Sequence, residues 1–250
     1  PASFYSLFFP EEKPYFHLSK QIYPQLMRIK KYSGLFFVLI LGWTSCISPP
    51  ENFPSVPEIT FAEIEYVPTP AQDSLIIGVD FRDAEGDRGL SPTEINPPFN
   101  PLNYKRNAAG NLITYSTRPP EAPTYNPIDW VINPIINNTT VRDTVWVEQN
   151  ENQYNIFVRF YIKRNGRFTE FRWQDPPFFT TFNGRFPRVL TTEEGQPVEG
   201  RIRYKMLSSG WESIFRNDTL RIDVEIQDRA LNRSNQASSP EVTLRQITRN

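Results

Sequence analysis

The chain has 250 residues, a formal net charge of −1, one cysteine and one histidine. The near-neutral balance excludes the broad basic field by which proteins hold nucleic acid, and a single thiol excludes an intrachain disulfide. Twenty-four prolines, eleven glycines and 14% aromatics disfavour long helices and suit strands divided by fixed turns.

Residues 1–26 have neither a helix nor a strand period, so they are expected to be upstream sequence without a fold, with Met27 as the start. From Met27 the order is basic (Arg28, Lys30, Lys31), apolar (Leu35–Leu41), then small, with Thr44 and Ser45 before Cys46. That order is the order of a secretory signal, and the apolar run falls far short of the roughly 20 residues that span a bilayer. The block resembles a bacterial lipoprotein signal, although Trp43 stands where an aliphatic residue is usual. The resemblance implies a signal peptide over residues 27–45 and a thioether-linked lipid, with palmitate, on Cys46. Residues 46–57 read as a lipidated, Pro-rich tether.

A domain is expected over residues 58–250. Its first strand is predicted at Ile59–Val67, with a slip of alternation near Ala62 that suggests a bulge. Ser74–Arg82 alternates cleanly, with Leu75, Ile77, Val79 and Phe81 on one face. Residues 91–142 are rich in Pro and Asn and predict a long, mostly irregular insertion packed by its aromatics, of the kind that is often functional. Thr144–Gln149 returns to strand. Tyr154–Lys163 and Phe168–Trp173 form a predicted hairpin around Asn165-Gly166, which supplies the positive-φ turn. Gly200–Met206 alternates Arg201, Arg203 and Lys205 outward with Ile202, Tyr204 and Met206 inward. Thr219–Gln227 turns Leu220, Ile222, Val224 and Ile226 inward, and Glu241–Arg245 is predicted to close the chain as a strand. Strands separated by turn signals, without a long helical period, predict an all-β sandwich.

Asp73–Asp83 aligns with Asp218–Asp228 as a weak internal repeat. Duplication of a half-sandwich and convergence of two amphipathic strands ending in acidic turns both account for it. A single pair does not make a repeat array.

The stretch Ile77-Gly-Val-Asp-Phe-Arg-Asp-Ala-Glu-Gly-Asp-Arg-Gly-Leu90 resembles a segment of Bacteroidota lipoproteins, in which an immunoglobulin-like strand enters an acidic turn. Val224-Glu-Ile-Gln-Asp-Arg-Ala-Leu-Asn-Arg-Ser234 is similar to the penultimate strand and turn of bacterial immunoglobulin-like domains. Asp73-Ser-Leu, Asp143-Thr-Val and Asp218-Thr-Leu are similar to the site that this phylum O-glycosylates. The resemblance implies an immunoglobulin-like β-sandwich on an outer-membrane lipoprotein of the cell envelope. Only Glu51 is acidic just after the anchor, which leaves the periplasmic and cell-surface faces both open.

Three sites are candidates. Asp83, Glu85, Asp87 and Glu94 carry carboxylates at positions 1, 3, 5 and 12 of a loop, the spacing of an EF-hand-type calcium site. Arg88 replaces the turn glycine of that pattern, and the bland alternative is a solvated acidic turn. Trp173, Phe178 and Phe179 lie in an aromatic stretch, joined by Tyr125, Trp130 and Trp211, that would make a platform for a sugar or protein partner if exposed. Aromatics of β domains more often pack inward. The row Arg201, Arg203 and Lys205 would meet acidic groups, or serve as an ordinary solvated strand face.

The only histidine is His17, ahead of every predicted strand. Its position removes Ser-His, Cys-His and most zinc chemistry from the domain. The reading is therefore a membrane-anchored binding or structural module, not an enzyme, with an envelope protein or a glycan as partner. It implies no cofactor, with calcium at the acidic loop as the one candidate. The alternative is a carboxylate-based glycan-processing enzyme, which needs two carboxylates about 5–10 Å apart.

Overall fold

The computed structural model describes residues 53–86, 89–187 and 196–249. The signal block, Cys46, most of the tether and Asp87 lie outside the described residues. In chain order the strands begin with β1 (Glu58–Val67) and β2 (Asp73–Asp83). The insertion supplies β3 (Leu102–Tyr104), β4 (Trp130–Ile132), β5 (Ile135–Ile136), β6 (Thr139–Thr140) and β7 (Thr144–Gln149). Then come β8 (Ile156–Arg164), β9 (Arg167–Phe171), β10 (Val198–Ser208), β11 (Thr219–Ile226) and β12 (Ala237–Ser238). One helical turn, α1 (Trp211–Phe215), separates β10 from β11. The chain is all-β, built of antiparallel sheets with little helix.

Two sheets carry the main core. One has the order β1-β2-β10 and the other β12-β11-β8-β9. Period-two alternation turns one row of each strand inward. Leu75, Ile77, Val79 and Phe81 of β2 meet Ile156, Val158, Phe160 and Ile162 of β8 and Leu220, Ile222, Val224 and Ile226 of β11 in a single apolar cluster. The bulge in β1 falls where the alternation slips: Phe61 faces Val79 and Glu63 faces Gly78, which leaves Ala62 unpaired. Asn165 (φ 50) and Gly166 (φ 75) make the β8–β9 turn, the positive-φ pair that a two-residue hairpin needs.

Two local expectations are corrected. Residues 241–245 do not form a strand. Val242 makes one bridge to Leu220, and the chain then enters a 3-10 helix at Leu244–Ile247. Thr243 and Gln246 form a capping box there, which satisfies the first free amides and stabilises the helical turn over the strand. The last strand of the sheet is instead the two-residue β12.

Most of residues 91–142 is irregular, but short pieces pair into a sheet of order β3-β7-β4 and a ribbon β5-β6. The central strand of that sheet is β7, predicted among the strands of the main domain. Trp130 and Val145 are buried in it, and the rings of Tyr125, Tyr115, Trp130 and Trp146 follow one another at 6.3, 5.0 and 6.0 Å. Asn137 and Asn138 take positive φ at the ribbon tip, beside the exposed Ile135.

Candidate functional site

The hydrogen-bonding edges of the sheets are closed unequally. On β1, the side chain of Asn235 donates to the Ile59 carbonyl and accepts from the Ile59 amide, both at 2.8 Å. Further along β1, the Arg249 amide donates to the Tyr66 carbonyl at 2.8 Å. On β8, the first half is covered by residues 183–186. Gly184 and Ile156 exchange backbone bonds at 3.0 and 3.1 Å, Asn183 Oδ1 accepts from the Val158 amide, and the Asn155 side chain bonds Phe186 on both sides. Asparagine amides thus stand in for strand backbone. On β10 the pairing is with β2 alone. Among the described residues, no backbone group of residues 203–208 bonds to any other segment.

A groove of about 690 Å³ runs along that free edge. One wall is Tyr204–Ser208, from both faces of the strand, so the groove follows its edge and not its face. The other wall is Phe178 and Thr180–Phe182, and α1 contributes Ser213 and Ile214. Trp173 lies in the wall and Gln72 closes one end. Leu207 and Phe178 are among the exposed large apolar side chains of the chain, and both line it. Lys205 is the only charged residue in the lining.

The second wall is placed by the aromatic core behind it. Trp173 is only 5% exposed and packs edge-on against Phe160, Phe171, Phe215 and Trp211, with centroids at 5.0 to 5.8 Å. Its indole N–H and that of Trp211 are buried without an acceptor among the described residues. Phe178 leans on Phe171 and Trp173 from outside. The Thr180 amide returns to the Trp173 carbonyl at 3.0 Å and closes the loop between them. Gly184 lets that segment approach β10, since a Cβ there would lie 2.0 Å from the Tyr204 hydroxyl. Burial pushes the Tyr204 phenol up to about 12, with a smaller contribution from Tyr154, so it is neutral and a hydrogen-bond donor at neutral pH.

No protein-family model, curated protein or solved structure matches the chain.

The three predicted sites fall differently. Of the aromatic set, Trp173 and Trp211 are core, Phe179 is half-buried with φ 44, and of the two that line the groove, Trp173 and Phe178, Phe178 alone is exposed. Trp173 is therefore not an open platform; two aromatic-rich segments converge on it and exclude water. Tyr125 and Trp130 belong to the separate ring cluster of the insertion.

The described carboxylates of the acidic loop have separate surroundings, and Asp87 lies outside the described residues. Asp83 is buried and accepts from the Gly86 amide at 2.8 Å. Glu94 accepts from the Ser91 amide at 2.7 Å and pairs with Arg229. Glu85 is exposed. Among the described residues, no three acidic, His or Cys side chains are placed to share a metal ion.

The basic row is mostly spent within its own sheet. Arg201 makes a two-pronged contact with Asp80 at 2.6 and 2.9 Å, and Arg203 pairs with Glu63 and Glu65. The exposed Lys205 has no ion pair among the described residues. A second hollow of about 560 Å³ on the outer face of this sheet holds Glu58, Asp80 and Glu199. The Arg201 hydrogen bonds hold the Asp80 carboxyl below its ordinary range, which keeps it ionised and unfit to donate a proton near neutrality. Ser74, the predicted glycosylation position of β2, is 2% exposed and out of reach of a transferase in the folded chain.

The groove was not among the sequence-predicted sites. Phe178 and Lys205 were singled out for separate reasons, and only the fold brings them together.

Proposed function

We propose that the chain is a tethered binding module of a bacterial envelope, lipidated at Cys46, whose immunoglobulin-like β-sandwich holds a partner. The strand order supports the sandwich reading. The sheet orders β1-β2-β10 and β12-β11-β8-β9 can be read as A, B, E and G, F, C, C′. That reading matches the order of an immunoglobulin-class Greek key with its fourth strand on the C side. The basic, apolar and small blocks ending at Cys46 support the tether.

The observation that carries the binding role is the groove along β10. A strand edge and a cation that are both unpaired among the described residues meet exposed apolar side chains there in one concavity. Exposed edges of this kind are ordinarily blocked or covered, as β1 is here, and an open one beside exposed apolar surface marks an interaction site.

The tether is tested by growing a Bacteroidota host that expresses the chain with an alkynyl fatty acid. The parent is expected to label and to sediment with membranes, and Cys46→Ala to do neither. Labelling of the Cys46→Ala variant refutes the tether.

A further inference from the structure

The groove has dimensions and chemistry that select among occupants. A residue in a strand occupies about 160 Å³, from its rise, the strand spacing and the spacing between packed layers. The groove therefore accommodates about four residues of extended chain, a match for the five β10 residues, Tyr204–Ser208, that line it. The backbone of those residues offers donors and acceptors on the groove side that β2 does not use. The lining carries one cation, Lys205, and no carboxylate. Arg203, the next residue on the same face, already has two carboxylate partners. A second copy of β10 fits poorly. Antiparallel pairing about Tyr204 sets Arg203 of each copy opposite Lys205 of the other, like charges that destabilise, and pairing about Met206 sets Lys205 opposite Leu207, so neither register brings Lys205 a carboxylate.

We propose that β10 accepts an extended segment of another protein as an added antiparallel strand, with acidic side chains on its outer face beside Lys205 and apolar side chains facing Phe178 and Ile214. Strand addition takes its affinity from main-chain hydrogen bonds and its selectivity from alternate side chains. The paired edge residues supply the first. Lys205 on the outside and the apolar wall on the inside supply the second.

The inference rests on the binding-module reading and is tested apart from the tether. The probe is the acetylated and amidated heptapeptide Thr-Val-Glu-Val-Glu-Val-Thr, titrated into the full chain by isothermal calorimetry. Two derivatives carry N-methyl groups, one on its valine amides and the other on its glutamate amides. Successive residues of a strand direct their amides to opposite edges, so one derivative is expected to lose binding and the other to keep it. Lys205→Glu, a change at an exposed unpaired residue, is expected to weaken the peptide about fivefold and to favour the analogue with lysine in place of glutamate. The proposal is overturned if the parent peptide does not bind at millimolar concentration, if both derivatives bind alike, or if the charge reversal has no effect. Saturable binding of maltohexaose in the groove in place of the peptide overturns it in favour of a glycan. Failure here with Cys46 still labelled removes the occupant and leaves the tether. Loss of labelling with the frame dependence intact does the reverse.

Discussion

Burial raises the phenol of Tyr204 to about 12 from an ordinary value of 10.0. Tyr66 is raised as well, first by burial and then by the hydrogen bond its hydroxyl donates to Asp73 at 2.6 Å, and burial raises Tyr154. A tyrosine whose folded pKa lies above its unfolded one contributes stability that is complete below the unfolded value. That stability is lost as pH rises toward the folded value. Stability to denaturant is therefore expected to fall between about pH 10 and about pH 12. The Tyr204 hydroxyl has no hydrogen-bond partner among the described residues, so Tyr204→Phe should be near neutral at pH 7 and should lose less stability across that window than the parent. Parallel losses in variant and parent contradict the assignment. None of this was legible in the chain: Tyr204 reads there as one inward residue of an alternating strand. Its closeness to Gly184 depends on a segment twenty residues upstream folding back beside it.

At the scale of elements, the start of the insertion is fastened to the main sheets chiefly by the Arg185 guanidinium. Arg185 donates to the carbonyls of Gln153, Ser91, Glu94 and Phe99. The Glu94–Arg229 pair lies alongside, with Arg229 over the Phe99 ring. Hydrogen bonds from a charged donor are worth more than neutral ones, and removing a shared donor leaves several carbonyls unpaired. Arg185→Ala is expected to destabilise the chain by about 3 kcal/mol, read as a shift in the urea midpoint. Arg185→Lys should recover only part, since an ammonium cannot span the fork. A shift below about 0.5 kcal/mol, the scale of a neutral surface change, contradicts this role. The repeat seen in the sequence also has a counterpart here. β2 and β11 are both inner strands, and an aspartate at the end of β2 and another two residues past the end of β11 cap the turns that follow: Asp83 accepts from the Gly86 amide, Asp228 from the Asn232 amide. Inner-strand burial and an aspartate-capped turn are what the two stretches share in the fold, under duplication and convergence alike.

For the whole molecule, the strands of the main core were legible because a half-buried strand must alternate, and the bulge at Ala62 because alternation must slip where a residue is unpaired. The elements that were missed lack such a signal. Two residues of β12 are too few to alternate, and the five of α1 are too few to show a helical period. The groove was hidden for a different reason. Whether an edge is open depends on what the rest of the chain lays beside it. Asn235 closes β1 from the far end of the sequence, while the described residues leave β10 uncovered. Glu94, which sits in ligand spacing in the sequence, pairs with Arg229 in the fold, a partner that spacing along the chain does not reveal.

The central claim, a strand edge held open for a partner, is measured most directly by amide hydrogen exchange across β10. Residues 204–208 of the free chain should alternate, with amides bonded to β2 slow and those facing the groove fast. Addition of the alternating valine–glutamate peptide should slow the fast set and leave the β1 amides unchanged. Uniform protection of residues 204–208 in the free chain, or fast amides that the peptide does not slow, contradicts the account.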